Sequence, residues 1–156
     1  MNALAGKYGD KLNILAFPCN QFGHQTNEGN DEFLNTLKHV RPGGGFEPAK
    51  EITIFEKTDV NGADASPIFK WLKSELMFPS GETTDSKGNG MTDADTLMLP
   101  RGGFGGTTVV LWTPVARSDI AWNFEKFLID GEGKAVKRYS RFFPTMDIAA
   151  DIEKLI

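Results

Sequence analysis

A single cysteine, Cys19, and two histidines, His24 and His39, are all that 156 residues supply of these two types. One thiol forms no internal disulfide, and there is no C-x-x-C pair to cycle. A self-contained thiol–disulfide oxidoreductase is thereby disfavoured, and the single cysteine suits a reducing compartment. Two imidazoles and one thiol fall short of a zinc ligand set. Asp85–Asp95 has the outline of a calcium loop. However, Lys87 occupies an oxygen-ligand position and Thr96 stands where a glutamate belongs. The glycine clusters Gly43–Gly45 and Gly102–Gly106 match neither phosphate-loop fingerprint and read as turns or hinges. No metal site is expected.

Long apolar runs are missing too. No stretch approaches the ~20 residues that a membrane span needs. The opening MNALAGKYGDKL has no apolar signal core, so a cytoplasmic location is expected. There is no N-x-[ST] glycosylation site. A formal net charge of −4 argues against a general nucleic-acid binder. What remains has a globular composition, 40% hydrophobic and 24% charged, of a length that suits one domain over residues 1–156.

The central stretch is Ile14–Gln25, ILAFPCNQFGHQ. An apolar run of strand length ends at Pro18 and is followed by the cysteine, two amides and a glycine turn. Such a run, closed by turn residues, predicts a fully buried strand. Polar groups just past a strand end are where open α/β sheets place their chemistry.

In chain order, Met1–Tyr8 predicts a helical end and Leu12–Phe17 the first strand. Asn30 is placed to cap a helix whose apolar face is Phe33, Leu34, Leu37 and Val40, with Asp31 and Glu32 in its first turn. Arg41-Pro42-Gly43 stops it. Ile52–Phe55 predicts a second strand. Ser66-Pro67 opens a second helix, with proline at its first position and a stripe of Ile68, Phe69, Leu72 and Leu76. Phe78–Gly106 reads as a loop, and loops this long are uncommon unless functional. Thr107–Trp112 and Phe124–Ile129 predict strands. Asp130–Gly133 is a tight turn, Ala135–Tyr139 its returning strand, and Ile148, Ile152, Leu155 and Ile156 mark a last helix. The order βαβα, then ββα, fits an α/β sandwich of the thioredoxin type.

The motif FPCNQFGHQ, together with WNFEKF at Trp122–Phe127, resembles the glutathione peroxidases. Further matching stretches are VRPGGGFEP (Val40–Pro48), FEKTDVNGA (Phe55–Ala63), SPIFKWL (Ser66–Leu72) and KRYSRFF (Lys137–Phe143). The resemblance implies a thioredoxin-like fold with a central mixed sheet flanked by helices. It implies reduction of hydrogen peroxide and organic hydroperoxides with glutathione as co-substrate, in oxidative-stress defence and with no bound cofactor. In the family, the reactive selenocysteine or cysteine precedes these stretches on a strand and turn. The expectation is therefore a chain lacking its N-terminal segment and inactive for want of that residue. The alternative is a non-catalytic chain acting through binding or assembly.

From spacing alone, Gln25, Trp122 and Asn123 are loop amides and a core tryptophan. The resemblance implies instead that they surround the reactive chalcogen, where amide and indole N–H groups favour the anionic nucleophile. Cys19 closes an apolar strand with no Lys, Arg or His within four residues, and reads as a buried, inert thiol. Arg41 and Arg141 are the residues expected to hold glutathione carboxylates, since arginine pairs with them bidentately. Phe142 stands where close relatives can carry a second arginine. Lys134, Lys137 and Arg138 add positive charge nearby, with a solvated face as the plain reading. Relatives with an insertion at 78–106 use it between subunits, which implies a homo-oligomer.

Overall fold

A computed structural model describes residues 1–79 and 110–156. They divide into two compact units, one of residues 1–20 and 24–58, the other of 21–23 and the chain from Asp59 to Ile156. Among the described residues no helix is long and apolar enough to cross a membrane.

In the first unit, α1 (Asn2–Tyr8) buries Leu4 and Ala5, and a 3-10 turn (Gly9–Lys11) leads to β1 (Ile14–Ala16). β1 pairs in parallel with β2 (Ile52–Ile54), in the register Ile14↔Ile52, Leu15↔Thr53 and Ala16↔Ile54. Phe17 and Phe55 extend the pair by stacking at 4.5 Å between ring centroids. The apolar run predicted a strand buried on both faces, but Leu15 is 51% exposed. Burial on both faces requires a layer on each side of the sheet, and this two-stranded sheet leaves the Leu15 face open.

α2 (Phe33–His39) begins three residues after Asn30. Asn30 does not cap it: its Oδ1 accepts the Lys57 backbone N–H at 2.8 Å, tying the loop to the residues after β2. One side-chain oxygen committed to a distant amide is lost to the local cap. Of the predicted apolar face, Phe33 and Leu37 are half-buried, while Leu34 and Val40 are exposed. The helix ends as predicted. Gly43 adopts φ +73 with its N–H on the Leu37 carbonyl, and a Cβ there would lie 3.2 Å from the Val40 oxygen.

The second unit opens on α3 (Pro67–Glu75), with Ser66 at its N-cap and Pro67 in its first turn, as predicted. Phe69 and Leu72 are buried; so is Lys73, which the apolar stripe did not foretell. β3 (Lys126–Ile129) and β4 (Ala135–Tyr139) form an antiparallel hairpin with a bulge between Leu128 and Ile129. The predicted strand from Phe124 starts two residues late. Phe124 has φ +66, which no strand residue adopts. Asp130 builds the turn, its carboxylate accepting the Glu132 and Lys134 amides. A 3-10 turn (Thr145–Ile148) runs into α4 (Ala149–Ile152) and buries Ile148 and Ile152.

The predicted strand Thr107–Trp112 lies outside the described residues up to position 109, and residues 110–112 are irregular. Most of the predicted 78–106 loop also lies outside them, with the calcium-like segment and the glycine cluster at 102–106.

Candidate active site

Gln25 belongs to the first unit and is exposed. The loop that carries it is built around Asn20. The Asn20 Oδ1 accepts the Thr26 N–H at 2.9 Å, and its amide donates to Asn27 Oδ1 at 2.9 Å. Asn27 in turn donates to the His24 carbonyl at 2.8 Å. His24 sits at φ +51, so the chain turns sharply just before Gln25. Lys57 closes the far side, its ammonium donating to the Thr26 and Glu28 carbonyls at 2.9 and 2.6 Å. Side chains here satisfy backbone groups that no sheet or helix pairs, which holds a loop rich in polar residues in one shape.

Trp122 and Asn123 belong to the second unit, just before β3, and both are half-buried. Phe22, also of this unit, packs its ring 5.6 Å from that of Trp122 and 5.8 Å from that of Trp112. Two buried polar clusters hold the segment on either side. Upstream, Asn61 is fully buried and pins Ile120 twice, accepting its N–H and donating to its carbonyl, each at 2.8 Å. Lys73 bridges Asn61 Oδ1 and Asp119 Oδ1, both at 3.1 Å. Asp119 Oδ2 accepts the Trp112 indole and the Ala116 amide, both at 2.8 Å. Gln21 completes the cluster by accepting the Val60 and Asn61 amides and donating to the Asn61 carbonyl, each at 3.0 Å.

Downstream, Glu125 closes a tight turn. Its Oε1 accepts the Ala121 N–H at 2.6 Å, and its Oε2 pairs with Arg138 at 2.8 Å from Nε and 2.7 Å from a terminal nitrogen. Both side chains are sealed from solvent. Burial pushes the Glu125 carboxyl up, opposed chiefly by the Arg138 charge and then by the Ala121 amide. Arg138 spends its other donors on the carbonyls of Leu76, Met77, Ser118 and Asp119. Trp122, Asn123 and Phe124 therefore ride on a turn clamped at residues 121 and 125. A buried charge so fully hydrogen-bonded is tolerated, and it fixes geometry.

A glutathione peroxidase family model matches residues 1–73. Mouse glutathione peroxidase 1 is 50% identical over 157 aligned residues, which cover 100% of this chain and 69% of the relative. The chain belongs to the glutathione peroxidase family. Human glutathione peroxidase 2 is 46% identical, with 100% of this chain and 72% of the relative covered. Among solved structures, the crystal structure of T. cruzi GPX1 superposes with a TM-score of 0.51 at 25% identity, covering 99% of this chain and 67% of that one. The crystal structure of Trgpx in apo form shares the fold at a TM-score of 0.50 and 24% identity, and this chain covers 98% of itself and 63% of that structure. These neighbours carry the thioredoxin-like α/β fold expected from the order of elements.

The remaining candidate residues of this glutathione peroxidase family chain divide between the units. Arg41, in the first, is exposed in the loop after α2. Arg141, in the second, follows β4 and lies over the Phe142 ring at 4.4 Å. Among the described residues its Nε is buried without a hydrogen-bond partner. Burial pulls the guanidinium below its ordinary value, and the Glu125 charge partly offsets this. Lys126 holds the segment by donating to the Ser140 and Phe143 carbonyls at 2.8 and 2.7 Å.

Cys19 is buried, 6% exposed, as the apolar run around it predicted. No group of three His, Cys, Asp or Glu that could hold a metal occurs among the described residues. Arg138 corrects the plain reading of its charge as a solvated face. It lies opposite Phe127 at the end of β4 where both strand faces are covered, Tyr139 beside it being buried too, and Glu125 and backbone carbonyls neutralise it. Asn61, Lys73 and Asp119 were missed as supports, because a buried polar cluster joined from distant segments leaves no local pattern. Of this cluster, Asn61 lines a cleft of about 480 Å³ together with Gln21, Gly62, Ala63, Trp112 and Thr113.

Proposed function

We propose that the protein reduces hydrogen peroxide and organic hydroperoxides with glutathione, with Gln25, Trp122 and Asn123 as hydrogen-bond donors to an anionic selenium or sulfur nucleophile. The observation that carries this reading is identity of 50% to a glutathione peroxidase over the whole chain. The clamped turn bearing Trp122 and Asn123 supports it, because preorganised donors favour a chalcogenolate without titrating themselves. Cys19 is buried, 6% exposed, which keeps it from the partly exposed setting that a reactive thiol needs. The reading therefore assigns the nucleophile to a selenocysteine or cysteine other than Cys19.

In this scheme the chalcogenolate attacks the peroxide O–O bond. The distal alkoxide or hydroxide leaves and takes up a proton, and the nucleophile becomes a selenenic or sulfenic acid. One glutathione thiolate displaces hydroxide, which leaves as water. A second attacks the mixed adduct, releases oxidised glutathione and restores the anion. Arg41 and Arg141 are assigned to the glutathione carboxylates. That the Arg141 Nε has no hydrogen-bond partner among the described residues supports that role.

The test is a glutathione-coupled peroxidase assay on this chain and on a form extended upstream by a strand bearing Sec or Cys. Activity confined to the extended form is the expected result. Turnover by both forms would return catalysis to Cys19, and turnover by neither, with both folded, would overturn the proposal.

A further inference from the structure

Phe124 is 71% exposed, and its backbone is held at φ +66. Each feature is unfavourable by itself. A bulky side chain in the left-handed region costs about 1–2 kcal/mol, and an apolar ring in water forgoes its burial. A loose turn would relax both by rotating the ring inward. This turn cannot, because Glu125 ties its two ends together. Its carboxylate accepts the Ala121 N–H on one side and is anchored to sealed Arg138 on the other. The same clamp carries Trp122 and Asn123, the residues immediately before the ring. Backbone strain of this kind persists only where the surroundings enforce it, and it gathers at ligand-binding sites.

We propose that Phe124 is a specificity-determining residue: a fixed apolar platform that takes the hydrocarbon part of an organic hydroperoxide whose peroxide end points towards Trp122 and Asn123. The inference rests on the peroxidase reading above and adds to it the class of substrate preferred. A rigid, pre-exposed aromatic ring gains by covering apolar area and loses no conformational freedom in doing so. Hydrogen peroxide, with no hydrocarbon part, gains nothing from it.

The test measures binding, so it does not depend on turnover by this chain. Cumyl alcohol, the unreactive product of cumene hydroperoxide, is titrated into the 156-residue protein. The signals followed by NMR are the Trp122 indole and the Asn123 side-chain amide. Phe124→Asn removes the ring while suiting the left-handed backbone, so its fold is retained. It is expected to weaken cumyl alcohol binding about 5–10-fold, from the loss of roughly 50 Å² of apolar contact. Phe124→Leu, which keeps an apolar surface, is expected to restore most of it. Equal binding by wild type and Phe124→Asn, or no response at Trp122 and Asn123, overturns the inference. Failure of the peroxidase reading is seen separately, as intact alcohol binding with no turnover in the extended form.

Discussion

Replacing Arg138 with methionine would test whether the buried clamp holds the turn at Trp122–Phe124. The substitution preserves a long unbranched side chain but removes every donor. It strands the Glu125 carboxylate, sealed from solvent with the Ala121 amide as its remaining hydrogen-bond partner among the described residues, and leaves carbonyls of Leu76, Met77, Ser118 and Asp119 without this partner. Removing one member of a buried ion pair costs about 3–5 kcal/mol. That is a large share of a typical stability of about 5–15 kcal/mol. The loss depends on pH with a definite sign. Burial already holds the Glu125 carboxyl above its ordinary value, and loss of the guanidinium raises it further. A carboxyl whose folded pKa lies above its unfolded one stabilises the fold when protonated, and that contribution is lost as pH rises through the folded value. The deficit of Arg138→Met should therefore shrink as pH falls from 7 to 5. Adding Glu125→Leu should recover about half of it at pH 7, by removing the stranded charge. Urea unfolding followed by tryptophan fluorescence measures all three quantities. A deficit below about 1 kcal/mol, or one that is independent of pH and not reduced by the second substitution, would refute the clamp.

Gly62→Ala should cost about 2 kcal/mol in the same unfolding measurement, because Gly62 has φ +79 and a Cβ there would lie 3.0 Å from both the Thr113 oxygen and the Trp112 Cβ. Asp151 is bonded by Lys137, Lys154 and the Tyr139 hydroxyl, at 2.7, 2.7 and 2.9 Å, which hold its carboxyl well below the usual range. Its contribution is present above the ordinary carboxylate pKa and fades as pH falls through the lowered one. Asp151→Asn should therefore lower stability by about 1 kcal/mol at pH 7, with the gap closing near the acid limit of the fold. In whichever of the two assayed forms turns over peroxide, Trp122→Phe keeps a ring and deletes the indole N–H. It should lower peroxidase kcat/KM by about 10–100-fold without a matching loss of stability.

Much of the local structure was legible because its causes are local. Proline after Ser66 started α3, Gly43 ended α2, and Asp130 with its glycines turned β3 into β4. The misreadings share another cause. Asn30 has the chemistry of a cap, but the Lys57 amide, distant in sequence, competed for its oxygen. Phe124 continues the apolar pattern of a strand, yet Glu125 reaches back to Ala121 and bends the chain out of it. The burial of Lys73 and Arg138 leaves no mark in the sequence, where a solvated face is the plain reading of Arg138, since sequence alone does not reveal the partners that make burial tolerable.

The order of the residues thus determined the family, the α/β class and most element positions, because turns, caps and hydrophobic periodicity act within a few residues. Tertiary structure decided which polar side chains became supports. Asn61, Lys73, Asp119, Glu125 and Arg138 are worth burying only when donors and acceptors from separated segments meet. That same meeting holds Trp122, Asn123 and Phe124 on one rigid turn.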